Sequence, residues 1–361
     1  MSIQLNVGII GATGMVGQRF ITLLHDHPWF NITCLAASPR SAGKKYGDLM
    51  AGRWAMSIAI PEWLADMTVV DASDIECVKE AVDFVFCAVD MDKASIKELE
   101  EAYAKAEVAV VSNNSANRNT ADVPMVIPEI NNDHLEIIAA QRKRLGTTKG
   151  FIAVKPNCSI QSYTPVLAAL KEFGPKEVMV CTYQAISGAG KTFETWPEMV
   201  DNIIPFIGGE EEKSEQEPLK VLGELKGSHI VNATAPVISA QCIRVPAQDG
   251  HLAAVSINFK TKPSKEAFIA KIEGFSGRPQ ALELPNAPKQ FIQYMADDNR
   301  PQTKLDRDYE KGMGVSVGRL REDPLYDYKF VCLSHNTLRG AAGGAVLIAE
   351  LLAAEGYITG K

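Results

Sequence analysis

No two of the seven cysteines in this chain (positions 34, 77, 87, 158, 181, 242 and 332) stand in a CxxC spacing, and their number is odd. That argues against a disulfide framework and for reduced thiols, the state expected of a cytoplasmic protein. Positive charge is also in short supply. Lys+Arg number 37 against 44 Asp+Glu, a net charge of -7 that opposes binding to nucleic acid or anionic membrane. The longest apolar run, from Gly340, is broken by Glu350 after about ten residues, where a membrane span needs about 20. The opening MSIQLNVGIIGATG has no basic region, apolar core or small-residue cleavage site, so no signal peptide is expected. His25, His27, His134, His229 and His335 show no ligand spacing with Cys or carboxylate, so no metal is expected. There is no internal repeat.

What is present is length and alternation. A chain of 361 residues is long for one core, so two domains are expected. The first half alternates apolar β-rich runs (LNVGII, NITCLAAS, DFVFCAV, VAVVSN) with helical stretches at 14–26 and 92–106. That order is the signature of βαβ units and a covered parallel sheet. From about residue 150 the texture changes: a helix is expected after Cys158, a strand at VMVCTYQAIS, a helix across 191–204 and antiparallel strands within 229–260. The fold class is therefore α/β: an N-terminal Rossmann-type dinucleotide-binding domain plus an α+β domain. Residues 276–312 read mostly as loop, of the kind that serves function or subunit contact.

The segment GIIGATGMVGQRF follows the first strand and opens the first helix. Gly11 permits the tight turn, Gly14 lets a pyrophosphate approach the helix N-terminus, and Gly17 allows close helix–sheet packing. Together with Thr13, Met15 and Val16 these residues form the expected cofactor loop; the competing reading is that the glycines serve the turn alone. An NAD site carries a carboxylate about 20 residues on, to accept from the ribose 2′-OH. Here AASPRSAGKK offers Ser38, Arg40, Ser41, Lys44 and Lys45 and no carboxylate. That suits a 2′-phosphate, and NADP is the expected cofactor.

Cys158 sits in KPNCSIQS, where the strand FIAVK meets an expected helix. Free thiol has a pKa near about 8.5, and a helix N-terminus lowers it toward thiolate. The other six cysteines have apolar neighbours and read as small core residues. Arg244 and His251 are seven apart, an odd interval that would put them on opposite faces of one strand, but Pro246 and Asp249-Gly250 favour a bend between them.

Four motifs, PNCS at 156–159, YQAISGAG at 183–190, RVPAQDGH at 244–251 and NTLRGAAGG at 336–344, together resemble aspartate-β-semialdehyde dehydrogenase. The Pro-Asn-Cys-Ser form and GEEEK at 209–213 are similar to its archaeal and fungal branch, and the resemblance covers essentially the whole chain. It implies Cys158 as nucleophile, Gln184 as the glutamine that orients substrate, and His251 as acid/base. Arg244 would hold the substrate carboxylate, Arg118 and Lys220 its phosphate, and Glu217 its amino group, with Asn157 also at the substrate. The choice of Glu217 among Glu210, Glu211, Glu212 and Glu217 follows the spacing of Lys220 from Arg244. Ser187, Gly188 and Asn336 are expected at the nicotinamide end.

The implied reaction is NADPH-dependent reductive dephosphorylation of L-4-aspartyl phosphate through a cysteine thioester, a step toward lysine, threonine and methionine. Backbone N–H groups after Cys158 are the expected oxyanion donors. Residues 1–157, completed by a C-terminal helix 336–361, would bind the dinucleotide, and 158–335 would carry catalysis and dimerisation, in a homodimer or homotetramer. Two alternatives stand beside this: a malonyl- or succinyl-CoA reductase, which differs in leaving group, and an NADP-binding sensor without catalysis. Glyceraldehyde-phosphate dehydrogenase and N-acetylglutamyl-phosphate reductase fit less well, since the chain lacks the acidic residue after strand two and the Gly-Cys-Tyr segment respectively.

Overall fold

The computed structural model describes residues 3–361, so the first two residues of the expected 1–157 domain lie outside it. Six strands, β1 (Leu5–Ile10), β2 (Phe30–Ala37), β3 (Val70–Asp71), β4 (Phe84–Cys87), β5 (Ala109–Ser112) and β6 (Ile152–Val154), form one sheet in the order β3-β2-β1-β4-β5-β6. Every pairing is parallel. Such strands have two covered faces, which is why alternate residues feed two cores. Ile10, Val85, Val110 and Ile152 point into one; Val7, Ile9, Phe84, Phe86 and Val111 point into the other. At about 1.5–3 kcal/mol for each fully buried side chain of this size, these layers hold the sheet together.

The strand order reverses between β1 and β4, and a crevice opens there at the carboxyl ends of the strands. Gly11 stands at that point with φ +93, and a Cβ on it would land on the Ala88 carbonyl beyond β4. Helix Met15–Leu24 follows, with Gly14 as an N-cap that supplies no side-chain bond. The C-terminal helix Ala342–Ala354 is buried on all sides, as its uniform hydrophobicity requires, and packs on Met15–Leu24 and on β5.

The remaining strands are β7 (Pro175–Gln184), β8 (Glu224–Lys226), β9 (His229–Val231), β10 (Val237–Arg244), β11 (His251–Phe259), β12 (Ile292–Met295), β13 (Val315–Glu322) and β14 (Tyr328–Ser334). Apart from the β8-β9 hairpin they form a mixed sheet, β10-β7-β11-β14-β13-β12. One face, with Val178, Val180, Val255, Ile257 and Phe330, shares a core with the first sheet. On the other face Met179 is 40 % exposed, and Cys181, Tyr183, Leu252, Ala254 and Val331 are half-covered.

Three expectations are corrected. The strands within 229–260 are not all antiparallel, because β10 runs parallel to β7. Residues 191–204 form turns and a single 3-10 turn at Pro197–Met199. There the Thr192 and Thr195 hydroxyls bond local backbone, the competition that keeps such residues out of helices, and Pro197 supplies no N–H. After Cys158 comes only a 3-10 turn, Ser159–Gln161, before a short helix, Thr164–Ala169.

Candidate active site

Cys158 is delivered by a loop that leaves β6 and is fixed mainly through Asn157. The Asn157 Oδ1 accepts from the Ser159 N–H at 2.8 Å and the Ser159 hydroxyl at 2.6 Å. Its Nδ2 donates to both oxygens of Glu210, each at 3.0 Å, and its backbone N–H donates to Glu217 Oε2 at 2.5 Å. Two carboxylates on helix Glu210–Val221 therefore clamp the residue next to the thiol.

Parallel pairing of β10 with β7, and antiparallel pairing of β11 with β7, bring Gln184, Arg244 and His251 to one edge of the second sheet. That arrangement resolves the odd spacing of Arg244 and His251: they sit at the same end of two strands that flank β7, joined by a connection in which Gly250 has φ +98. His251 Nε2 lies 3.4 Å from Cys158 Sγ. Its Nδ1 accepts the Ala185 N–H at 3.1 Å, while Arg244 donates to the Ala185 carbonyl at 2.7 Å.

The electrostatics are unlike those of a resting thiolate. Burial pushes the Cys158 thiol up, Glu210 pushes it further, and Lys155, Arg118 and Arg244 oppose this without prevailing. Burial, then Arg244 and His335, hold His251 well below the usual imidazole value, so it is neutral near pH 7. Burial and then the Arg118 charge bring Lys155 down to about 7. Burial alone would raise Glu210, but the Lys213 ammonium with the Asn157 and Gln184 amides outweighs it, leaving an ionised carboxylate.

Arg118 has five N–H groups, of which Nε donates to the Lys155 carbonyl, one Nη to Glu217 at 2.9 Å and the other to the Asn113 carbonyl. Two N–H groups remain, one on each Nη, a fork suited to phosphate oxygens. Lys213, bonded to Glu210 at 2.8 Å, lines the same surface pocket as Arg118.

A second cavity, of about 150 Å³, has Cys158, Arg118 and Lys155 on one side and Met15, Val16 and Gly188 on the other. Its cofactor side fits a dinucleotide: the uncapped start of helix Met15–Leu24 faces it, and a side chain at Gly11 would have no room. Asn336 ties this end together, donating to Ser187 Oγ and accepting from the Gly250 N–H, both at 2.8 Å.

The sequence matches two family descriptions, "Semialdehyde dehydrogenase, NAD binding domain" over residues 6–138 and "Semialdehyde dehydrogenase, dimerisation domain" over 166–339. The chain belongs to the semialdehyde dehydrogenase family. Among named relatives, the aspartate-semialdehyde dehydrogenase of Schizosaccharomyces pombe is 45% identical, with 98% of this chain and 99% of that protein covered. The Archaeoglobus fulgidus protein of the same name is 43% identical at the same coverage. A crystal structure of Candida albicans aspartate semialdehyde dehydrogenase with NADP superposes with a TM-score of 0.88 at 38% identity, covering 98% of this chain and 100% of that one.

Within this semialdehyde dehydrogenase, Met15, Val16, Arg118, Asn157, Cys158, Ser187, Gly188 and Asn336 line the 150 Å³ cavity. Gly11, Thr13, Gly14 and Gly17 lie in or just behind its loop, Gly17 packed against the Gly11 carbonyl. Ser38, Arg40 and Lys44 are exposed, and Ser41 half-exposed, in the turn after β2. Gln184 is buried behind the cavity wall, its amide 3.3 Å from Glu210.

Four expectations fail on the geometry. The Lys220 ammonium is buried and donates to the carbonyls of Arg118 (2.6 Å), Thr120 (3.1 Å) and Val123 (3.1 Å), so it is spent on the chain itself. Glu217 is spent on Arg118 and the Asn157 N–H, and it is Glu210 that stands beside Gln184. Asn157 has both amide hydrogens and its oxygen engaged, which makes it the organiser of the turn rather than a free substrate ligand. A helix field does not favour thiolate, because a three-residue 3-10 turn carries little dipole, and its Ser159 N–H is already taken by Asn157.

Sequence reasoning missed Lys155, Asn113 and Arg19 on the cavity wall. Lys155 was in plain view three residues before the cysteine. Only the tertiary burial of that loop makes it unusual.

Proposed function

We propose that this semialdehyde dehydrogenase reduces L-4-aspartyl phosphate to L-aspartate 4-semialdehyde with NADPH, and runs the phosphorylating oxidation in reverse. The observation that carries the reading is the Cys158–His251 pair, 3.4 Å apart, beside a cavity that also meets the glycine loop and Arg118. The names of its relatives point the same way. The product feeds lysine, threonine and methionine synthesis.

In this mechanism the Cys158 thiolate attacks the acyl carbon of the acyl phosphate, breaking its C–O bond, and Arg118 and Lys213 hold the departing phosphate. Arg244 takes the substrate carboxylate, and Glu210, an ionised carboxylate, faces its amino group with Gln184 alongside. A thioester on Cys158 results. Gly11 to Gly17 would hold NADPH, with Ser38, Arg40, Ser41 and Lys44 serving its 2′-phosphate and Ser187, Gly188 and Asn336 its nicotinamide; when bound it would supply the hydride. His251 donates from Nε2 to the charge that develops on oxygen and then on sulfur as the aldehyde leaves.

Residues 1–157 with the C-terminal helix serve the cofactor in this reading, and 158–335 serve catalysis and subunit contact. A homodimer or homotetramer is supported by the half-covered apolar face of the second sheet and by the dimerisation description matched there. Seven unpaired cysteines favour a cytoplasmic setting, and among the described residues no helix is long and apolar enough to cross a membrane.

The test is NADP reduction by purified protein given L-aspartate 4-semialdehyde, with and without phosphate, beside malonate semialdehyde plus coenzyme A. Phosphate-dependent NADPH formation is expected, and Cys158→Ala should abolish it while leaving NADP binding intact. Turnover that needs coenzyme A alone would overturn the substrate.

A further inference from the structure

We propose that Glu100 is a positioning residue for Arg118, acting through the loop that leaves β5. The inference rests on the reading of Arg118 as the residue that holds phosphate.

Glu100 lies on helix Lys93–Lys105, in the buried stripe that also contains Ile96, Tyr103 and Ala104. Glu98 on the same helix is exposed, whereas Glu100 is 0 % exposed. Burying a carboxylate is costly unless its oxygens are hydrogen-bonded, and a core that only had to be filled would carry an apolar side chain here. Among the described residues the partners of Glu100 are neutral donors. The Ser112 hydroxyl donates to Oε1, Asn117 Nδ2 donates to Oε2 at 2.7 Å, and Asn114 Nδ2 approaches Oε1 at 3.5 Å.

All three donors belong to one loop. Ser112 ends β5, and its Oγ in turn accepts the Asn114 N–H at 3.0 Å. The Asn117 Oδ1 accepts the Thr120 hydroxyl at 2.9 Å. Residues 112–117 read SNNSAN, with no large apolar side chain, so hydrophobic packing cannot hold this loop and polar bonds must. The network that does so is rooted in the Glu100 carboxylate.

The loop has a second side. While Ser112, Asn114 and Asn117 turn inward to Glu100, Asn113 and Arg118 line the cavity that contains Cys158. The Asn113 side-chain oxygen is buried without a partner among the described residues, which suits a surface built to meet a ligand. Arg118 directly follows Asn117. Its carbonyl and those of Thr120 and Val123 are held by Lys220, and its Nε donates to the Lys155 carbonyl at 3.0 Å. Lys220 thus fixes the far end of the loop, and Glu100 fixes the span between β5 and Arg118. With Glu100 removed, that span can pivot about the Lys220 end, and the guanidinium moves with it.

The experiment measures KM for phosphate and kcat in the oxidative direction, at saturating NADP and L-aspartate 4-semialdehyde, with thermal unfolding of each protein alongside. Glu100→Gln keeps the volume but offers one acceptor oxygen in place of two. It is compared with Arg118→Met, with the double variant, and with Tyr103→Phe. Tyr103 stands on the same helix and donates to the Ala72 carbonyl at 2.7 Å, away from the loop, so its variant controls for a general loss of stability. Glu100→Gln should raise KM for phosphate about 10-fold or more, since a small misplacement of a binding group is expensive. Tyr103→Phe should lower Tm yet leave that KM within about 2-fold, as expected of an independent site. In the Arg118→Met background Glu100→Gln should add less than about 2-fold, because nothing is left for it to position.

An unchanged KM in folded Glu100→Gln, or effects of the two substitutions that multiply in the double variant, overturns the inference alone. If Glu100→Gln does not fold, Asn117→Ala cuts the same link from the loop side and decides by the same criteria. An Arg118→Met protein with the phosphate KM of wild type would overturn the phosphate reading of Arg118, and this inference with it.

Discussion

Lys213 and Lys220 should separate cleanly when each is replaced by Ala, one losing function and the other losing stability. Lys220 is 7 % exposed and satisfies three carbonyls, at Arg118, Thr120 and Val123. Leaving a buried acceptor without its donor costs about 1–3 kcal/mol. Three of them would cost about 3 kcal/mol at the low end, partly offset because burial already disfavours the ammonium and brings it down to about 8. A net loss of about 2 kcal/mol corresponds to roughly 4–8 °C in Tm, at about 2–4 °C per kcal/mol for chains of somewhat smaller size. Lys213 is 29 % exposed at its side chain and has Glu210 as its recorded partner, so its removal should move Tm by less than about 2 °C. It should raise KM for phosphate in the oxidative direction by about 10–100-fold, the value of one charge-assisted bond of about 1.5–3 kcal/mol. Differential scanning fluorimetry and phosphate titration at saturating NADP measure the two quantities. If Lys220→Ala kept its Tm and lost phosphate affinity, while Lys213→Ala kept both, the assignment of phosphate to Lys213 would be wrong.

Three further outcomes are expected. Arg339→Met leaves Glu129 buried without the guanidinium that grips both its oxygens, and should cost about 3–5 kcal/mol by denaturant titration; a loss below about 1 kcal/mol would mean the pair is dispensable. Gly11→Ala places a methyl group on the Ala88 carbonyl in a conformation with φ +93, so NADP binding measured by fluorescence quenching should fall at least about 10-fold, and unaltered binding would contradict the crevice as the cofactor site. Lys155 binds its proton more weakly folded, at about 7, than at its ordinary 10.5, so the unfolded chain holds more protons across that window and stability gains with rising pH. Lys155→Met should therefore unfold at a higher temperature than wild type below pH 7, with the advantage shrinking as pH rises toward 10; a constant difference across pH would deny the shifted ionisation.

The glycine loop and the parallel sheet were legible because they rest on backbone demands that a sequence states directly. Gly11 must turn where no side chain fits, and runs such as DFVFCAV must be covered on both faces. The direction of β10 was not legible, since an alternating strand reads the same in either sense. Nor was the state of Cys158: the local sequence offered a helix start, but burial and the Glu210 charge, which come from a helix more than fifty residues away, set the thiol higher.

The exchange of Lys220 for Lys213 has a sharper cause. Glu210 with Lys213, and Glu217 with Lys220, are both pairs three residues apart on one helix, and the pairs themselves are separated by seven residues, two turns. Seven residues return to nearly the same face, so helical spacing admits both pairs equally, and the separation of Lys220 from Arg244 along the chain, which decided between them, carries no information on position along the helix axis. What distinguishes them is position along the axis, about 10 Å at 1.5 Å per residue. At that separation the first pair meets Gln184 and Asn157, and the second meets the carbonyls behind Arg118. In the proposed mechanism the helix does two jobs with one repeated pattern: its first turn faces substrate beside Asn157 and Gln184, and its last turns lock the loop that carries Arg118 and the backbone next to Cys158. Removing Lys220 should for that reason damage the site through the scaffold, lowering Tm and kcat together, whereas removing the half-exposed Lys213 should change KM in a protein of nearly unchanged stability.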